Sequence, residues 1–275
     1  MGKAKKITLH VIGNVVAIFL SLLVIIPLVV LFLNSFKDAA ESDSMSLSLP
    51  KHWIISNYAT VIEQGKLVTA FLNGLLYATV SCVLIVIVVA AAAFVISRRF
   101  QGINKVLYYF IIAGIAMPVN NVALMKVLQV LHLVNTRGGL ILIYVAVNVP
   151  LSLFLGYGFV ATIPRDIDEA AILDGCTTKQ LFFKVILPLM KPIISTLFVL
   201  NFMAVWNDFT MPLYYLNSST KWPMTLAVYN FFGAFQNNWN LVSADIILTL
   251  VPVLIVFIIG QKYIVGGVST GAVKG

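Results

Sequence analysis

The most constraining feature of this 275-residue sequence is a series of long apolar runs with almost no charge. A helix needs about 20 mostly apolar residues to cross the hydrocarbon core of a bilayer. Six runs have this length, at residues 11–33, 75–96, 106–124 (which contains Pro118), 140–161, 193–216 and 241–260. We therefore predict an all-α, multi-pass membrane protein with six transmembrane helices.

The composition supports this class. Apolar residues make up 60% of the chain and charged residues 10%, against roughly 25% charged residues in soluble domains. A soluble fold could not cover so much apolar surface. The two cysteines, Cys82 and Cys176, are too few for a disulfide framework. The 23-residue core of the first run is too long for a signal peptide, so we expect this segment to be retained.

The net charge of +8 is explained by topology. With both ends in the cytoplasm, 12 basic residues lie inside and 6 outside, as the positive-inside rule requires, so nucleic acid is not needed as a partner. This N-in/C-in arrangement assigns residues 1–10 to a cytoplasmic N-terminus, 11–264 to the transmembrane domain and 265–275 to a cytoplasmic, Gly-rich tail.

The inner connection 162–192 is too apolar and too patterned for a linker. Pro164 suits the first turn of a helix, and the acids that follow it lie where a helix dipole is positive. Gly175 can adopt the left-handed conformation that ends a helix, and a second short helix begins near Thr178 and is ended by Pro188 and Pro192. The segment therefore predicts two short helices around a glycine turn.

Three motifs carry a resemblance to a known family. Glu169-Ala170-Ala171, three residues, Gly175, nine residues and Val185-Ile186-Leu187-Pro188 resemble the EAA loop of the permeases of ATP-binding-cassette (ABC) importers, with Val185 in place of Ile. Trp206-Asn207-Asp208 resembles the Trp-Asn-Asp/Glu segment of the carbohydrate (maltose-type) permeases, and Gly266–Gly275 resembles the Gly-rich tail of their smaller permease partner. The likeness covers essentially the whole chain.

The resemblance implies a non-catalytic subunit that moves a sugar or oligosaccharide across the cell membrane. It implies a second permease as heterodimer partner, two ATPase subunits that bind ATP and Mg, and an extracytoplasmic solute-binding protein, while this chain holds no cofactor and no metal. The residues implied to couple to the ATPase are Glu169, Ala170, Ala171, Asp174, Gly175, Leu187 and Pro188. Those implied for the ATPase-contacting tail are Ser269, Thr270, Gly271, Ala272, Val273 and Lys274.

Several interpretations stay open at this point. Glu169 is expected to pair with a basic residue of the ATPase, but Asp166 and Glu169 also have the spacing of a capping box. Trp206, Asn207 and Asp208 suit a sugar pathway, because an aromatic ring stacks on a sugar while the amide and carboxylate bond hydroxyls; alternatively, Asp208 is simply hydrated. Asp245 is expected to be hydrated at the start of the sixth span.

The aromatic segment 217–240 also has two interpretations. Trp222 and Trp239 are candidates to contact the binding protein, and the alternative is an interfacial aromatic belt. For the whole chain, the alternatives are a secondary transporter, which would need ionisable groups near mid-membrane, and an ABC permease for a non-sugar solute such as polyamine. The central turns of the six runs carry no Asp, Glu, Lys or Arg, which disfavours the secondary transporter.

Overall fold

The computed structural model describes the backbone of residues 3–231 and 238–272 and the side chains of residues 12–231 and 238–261. Within this range all regular secondary structure is helical, which confirms the all-α class. The α-helices are α1 (Lys3–Asn34), α2 (Ala39–Ser42), α3 (Ser56–Gln64), α4 (Leu67–Arg98), α5 (Ile103–Ala113), α6 (Asn121–Val130), α7 (Arg137–Ala161), α8 (Asp166–Leu173), α9 (Thr178–Gln180), α10 (Leu187–Leu189), α11 (Lys191–Asn207), α12 (Thr210–Tyr215), α13 (Met224–Ala227) and α14 (Trp239–Ala272). A π-helix, Leu181–Ile186, joins α9 to α10, and 3-10 turns cover Ser219–Lys221 and Val228–Phe231.

Four helical segments of the described chain are long and apolar enough to cross a membrane. They are Ile12–Asn34, Leu67–Arg98, Arg137–Ala161 and Trp239–Gln261. The helical stretches Thr178–Leu189 and Lys191–Asn207 qualify only as a pair, which is bent by 69°. These segments agree with a multi-pass membrane protein.

The third predicted span differs from the structure. Instead of one helix over 106–124, α5 ends at Ala113 and α6 begins at Asn121. Pro118 lies in the break and lacks the N–H that a continuous helix would use. Asn120 then starts the next helix, because its side chain accepts a hydrogen bond from Ala123 N at 3.0 Å.

One further predicted end is wrong. The fifth predicted span, 193–216, is interrupted after Asn207, where Asp208 has an extended backbone (φ −73°, ψ 129°). In the predicted tail, 265–275, α14 continues without a break as far as Ala272. Once a helix exists, each added residue has its backbone fixed and gains one hydrogen bond. This allows α14 to extend through several glycines.

The chain divides into two compact units, and the first comprises Met1–Val68 and Ala227–Val251. Buried polar groups hold this unit together. Asn57 Nδ2 donates to the carbonyl oxygens of Ser35 and Lys37, each at 2.9 Å, and Asn57 Oδ1 accepts from Asn240 Nδ2 at 3.2 Å. The buried Lys37 ammonium donates to Ser46 O at 3.0 Å. The chain that leaves α1 is thereby fixed to α3 and to the first turn of α14.

Two features of the first unit bear on the sequence predictions. The apolar side chains of α1 between Ile12 and Val29 are exposed, so no residue among the described side chains covers them. Asp245, in contrast, is fully buried, and its Oδ1 accepts from Thr249 Oγ1 at 3.3 Å. The predicted hydration of Asp245 is wrong, because α14 begins at Trp239 and places this acid beyond the first helical turn.

The second unit comprises Thr69–Leu226 and Pro252–Gly275. Its core combines side chains of α4, α7, α11 and the segment between α8 and α11. The core residues with the least exposure are Ile85, Val89, Ala93, Leu153, Val160, Ile186, Met190 and Leu197. Small residues let the long helices approach closely: a Cβ at Gly156 of α7 would lie 2.8 Å from Val89 Cγ1 of α4.

This contact yields a stability prediction. Gly156→Ala should lower the free energy of unfolding by about 1–3 kcal/mol, because the added methyl group overpacks a core with no space for it. Gly158→Ala is the matched control, since a Cβ at that neighbouring position meets nothing within 4 Å. The thermal unfolding midpoint of the detergent-purified protein measures both effects, and equal midpoints would contradict the predicted packing of α4 on α7.

Candidate functional site

The candidate site is the segment 162–192, which begins with α8. Asp166, Asp168 and Glu169 lie in the first turn of α8, where the helix dipole favours negative charge. The carbonyl oxygen of Arg165 accepts from Asp168 N at 2.9 Å and from Glu169 N at 3.0 Å, and no side chain caps this helix. The capping box that the Asp166 and Glu169 spacing allows is therefore not formed, and Glu169 is exposed.

A glycine turn ends α8, as the sequence predicts. Gly175 has φ +82°, in the left-handed region. Cys176 N donates to Ala171 O at 2.9 Å, and Gly175 N donates to Ile172 O at 3.0 Å. These two bonds form a Schellman motif, which fixes the direction in which the chain leaves α8.

The second half of the segment differs in detail from the prediction. Thr177 and Gln180 form a capping box that starts α9, and the helix then continues through the π-helix and α10 as far as Leu189. Pro188 does not end this helix, because it occupies the first turn of α10, where its missing N–H is tolerated. The chain turns at Met190 instead, and Pro192 lies in the first turn of α11.

The apolar faces of the two predicted short helices pack into the core of this chain. Ala171 of α8 and Leu181 and Ile186 of the π-helix are buried there, and Leu187 is half-buried against them. Pro188 is exposed at the rim of the segment.

A different set of side chains faces outward. Glu169, Ala170, Ile172 and Leu173 are exposed on the side of α8 opposite the buried Ala171, and we call these four residues the α8 surface. Leu173 is 88% exposed and Ile172 is 59% exposed, which is unusual for large apolar side chains. Sequence reasoning missed both residues, which lie among the three unspecified positions between Ala171 and Gly175. Asp174 and Gly175 continue this exposed edge.

An ion pair joins α8 to the end of α4. Arg98 Nε lies 2.5 Å from Asp168 Oδ2, and Arg98 Nη2 donates to Asp168 Oδ1 at 3.0 Å. Arg98 Nη1 also donates to Ile163 O at 3.2 Å. Neither member of this pair was singled out from the sequence, because 70 residues separate them.

The Trp206-Asn207-Asp208 trio does not share one surface. Trp206 is buried, with its ring stacked on Phe202 at a centroid distance of 5.6 Å and edge-on to Phe71 at 5.8 Å. Asn207 is exposed at the end of α11. Asp208 points elsewhere, into a cavity of about 130 Å³ lined by Tyr144, Val147, Asn148, Ala204, Asp208 and Met211. Of the three residues, Asp208 is the one that lines this cavity.

Asp208 also organises the start of α12. Its Oδ2 accepts from Tyr144 OH at 2.9 Å and from Met211 N at 3.0 Å, and its Oδ1 accepts from Thr210 N at 3.3 Å. A carboxylate at this position satisfies backbone N–H groups that the helix itself leaves unpaired. The half-buried Asp208 is therefore a structural residue as well as a cavity residue.

The remaining candidate residues lie apart from the α8 surface. Trp222 Nε1 donates to Leu216 O at 3.0 Å, and Asn73 Nδ2 donates to Trp222 O at 3.2 Å, so the Trp222 segment is fixed on α4. Trp239 is the first residue of α14. In the predicted tail, Ser269, Thr270, Gly271 and Ala272 belong to the α14 backbone, whereas Val273 and Lys274 lie outside the described residues.

Comparison with known proteins identifies relatives along nearly the whole chain. The signature of the family described as "Binding-protein-dependent transport system inner membrane component" matches residues 92–270. The diacetylchitobiose uptake system permease protein NgcG of Streptomyces coelicolor is 34% identical, over 96% of this chain and 88% of that protein. The probable starch degradation products transport system permease protein AmyC of Thermoanaerobacterium thermosulfurigenes is 33% identical, over 94% of both chains.

A solved structure shares the fold. It is a bacterial ABC transporter involved in the import of the acidic polysaccharide alginate, and its matching chain superposes with a TM-score of 0.83 at 21% identity. The match covers 96% of this chain and 98% of that chain.

The hydrogen bonds of Asp208 lead to a prediction that is independent of function. Asp208→Ala should lower the free energy of unfolding by about 1–3 kcal/mol, because the buried Tyr144 hydroxyl loses its acceptor. Asn207→Ala, at the exposed neighbouring position, should have little effect. Thermal unfolding of the purified protein in detergent compares the two variants, and an Asp208→Ala midpoint no lower than that of Asn207→Ala would refute the structural role.

Proposed function

Because the chain belongs to the family of binding-protein-dependent transport system inner membrane components, we propose that it is the permease subunit of an ABC importer for a sugar or oligosaccharide. The observation that carries this proposal is the near-complete alignment with permeases whose names refer to diacetylchitobiose and to starch degradation products. The chain is a multi-pass inner membrane protein, and as a transport subunit it carries no catalytic step of its own.

The proposed topology has six spans with both ends in the cytoplasm. Four are the continuous segments described above, and α11, the second helix of the bent pair, forms the fifth in chain order. The third consists of α5 and α6 together: at 1.5 Å per residue each is about 15–17 Å long, roughly half of the 30 Å hydrocarbon core. This topology places the segment 162–192 in the cytoplasm, which agrees with the bias of basic residues to that side.

The proposed partners are a second permease subunit, two ATPase subunits that bind ATP and Mg, and an extracytoplasmic binding protein. The α8 surface has the chemistry for docking on an ATPase. Ile172 and Leu173 present apolar area that water does not favour, and the Glu169 carboxylate beside them can pair with a cation of the ATPase.

ATP hydrolysis in a separate subunit can drive movement of this chain only if the contact between the two subunits is rigid. The Schellman motif at Gly175 supplies this rigidity, because it fixes α8 relative to the buried π-helix. A residue with a Cβ at this position would pay about 1–2 kcal/mol for the left-handed conformation and would reorient α8.

Three further roles complete the proposal. Ser269–Lys274 contact the ATPase subunits. Trp222 and Trp239 contact the binding protein. Trp206, Asn207 and Asp208 contribute to the sugar pathway, and the support for this is strongest for Asp208, which lines the cavity next to Asn148.

The proposal predicts the behaviour of Glu169→Ala in the assembled importer. A hydrogen bond to a charged group contributes about 1.5–3 kcal/mol, and 1.4 kcal/mol corresponds to a factor of about ten in affinity. We therefore expect at least about tenfold weaker co-purification of the ATPase subunits, with loss of sugar uptake and a normal amount of the chain in the membrane.

Glu63→Ala is the matched control, because it removes the same side chain from an exposed position of α3, on the extracytoplasmic side of the proposed topology. It should retain co-purification of the ATPase subunits. If Glu169→Ala binds the ATPase as well as Glu63→Ala does, the α8 surface is not the docking site.

A further inference from the structure

The guanidinium of Arg98 joins three elements of the second unit at one point. Arg98 is the last residue of α4, Ile163 follows the end of α7, and Asp168 lies in the first turn of α8. The guanidinium binds both carboxylate oxygens of Asp168 and the carbonyl oxygen of Ile163. Two long helices are thereby tied to α8 through one side chain.

The contact is shielded from water and has favourable electrostatics. The side chains of Arg98 and Asp168 are 12% and 13% exposed, so their attraction is screened less than that of a surface pair. The cation lies at the C-terminal end of α4 and the anion at the N-terminal end of α8, which are the ends that helix dipoles favour for these charges. Arg98 faces both carboxylate oxygens of Asp168, with a hydrogen bond from Nη2 to Oδ1 and an ion-pair contact between Nε and Oδ2.

A second contact from α4 reaches the other half of the segment 162–192. Phe94, one turn before Arg98, packs against Phe182 of the π-helix with a ring-centroid distance of 5.3 Å. The end of α4 therefore contacts the segment on both sides of the Gly175 turn. A displacement of α8 cannot occur without either moving α4 and α7 or breaking the ion pair.

We propose that the Arg98–Asp168 pair is the link through which the importer passes movement between the docked α8 and the helices α4 and α7. Arg98 is thus a positioning residue for transport, although it lies outside the docking surface. This inference rests on the proposed function, in which α8 contacts the ATPase.

The test uses the complete importer complex in liposomes, with its binding protein isolated together with the sugar that it carries. Three quantities are measured: co-purified ATPase subunit, basal ATP hydrolysis, and the factor by which the binding protein stimulates hydrolysis. Arg98→Gln and Asp168→Asn should retain the first two, because the α8 surface is unchanged. The stimulation factor should fall about tenfold, within the range of about 5- to 150-fold that is usual for coupling between sites.

Neighbouring residues provide the controls. Arg99→Gln and Asp166→Asn remove the same charges from exposed side chains and should leave stimulation at the parental value. The double variant of Arg98→Gln with Asp168→Asn should lose no more stimulation than either single variant. The reason is that each of the three variants breaks the same contact between Arg98 and Asp168. The double variant also separates loss of the contact from misfolding around an unpaired buried charge, since it removes both charges.

Several outcomes would overturn the inference. Parental stimulation in the double variant, or an equal loss in Arg99→Gln, would show that the pair does not transmit movement. If the variants lose co-purified ATPase together with stimulation, the pair only supports the fold of α8. If the parental complex itself is not stimulated by the binding protein, the proposed function fails first, and that result is distinct from a failure of the variants alone.

Discussion

A chain within hydrocarbon has to satisfy its backbone N–H and C=O groups from its own atoms, since lipid offers no hydrogen-bond partners. At three of the places where a helix of this protein begins anew, a polar side chain supplies the missing bond. Asn120, Thr136 and Asp208 each accept from a backbone N–H in the first turn of α6, α7 and α12, respectively. This requirement explains why polar residues lie at the breaks. Their structural role does not depend on any contact with a solute.

The segment 162–192 combines two surfaces with opposite tasks. Its inner side, represented by Ile186 and Met190, is part of the core that the membrane helices form. Its outer side, the α8 surface, is exposed within the described part of the chain and carries two large apolar side chains beside an acid. A docking element needs both properties, because a partner can move the permease only through a surface that is firmly attached to it.

The parts of this structure that could be predicted from sequence depend on local chemistry. Apolar runs gave the approximate positions of most spanning helices, and the positive φ of Gly175 followed from its place after a short helix. The Arg98–Asp168 pair and the burial of Asp245 could not be predicted, because both depend on residues that are distant in sequence. The break between α5 and α6 was signalled by Pro118, but its length depends on the cap at Asn120.

The central claim is that a separate ATPase drives this permease through the α8 surface. The most direct test places a photo-crosslinker on Leu173→Cys, after replacement of the nearby free Cys176 by Ser, in the assembled importer. The account predicts a crosslink to the ATPase subunit, and it predicts none from Val122→Cys, an equally accessible position on α6 at 74% exposure. An ATPase crosslink that is absent from Leu173→Cys, or that forms equally from Val122→Cys, would contradict the claim.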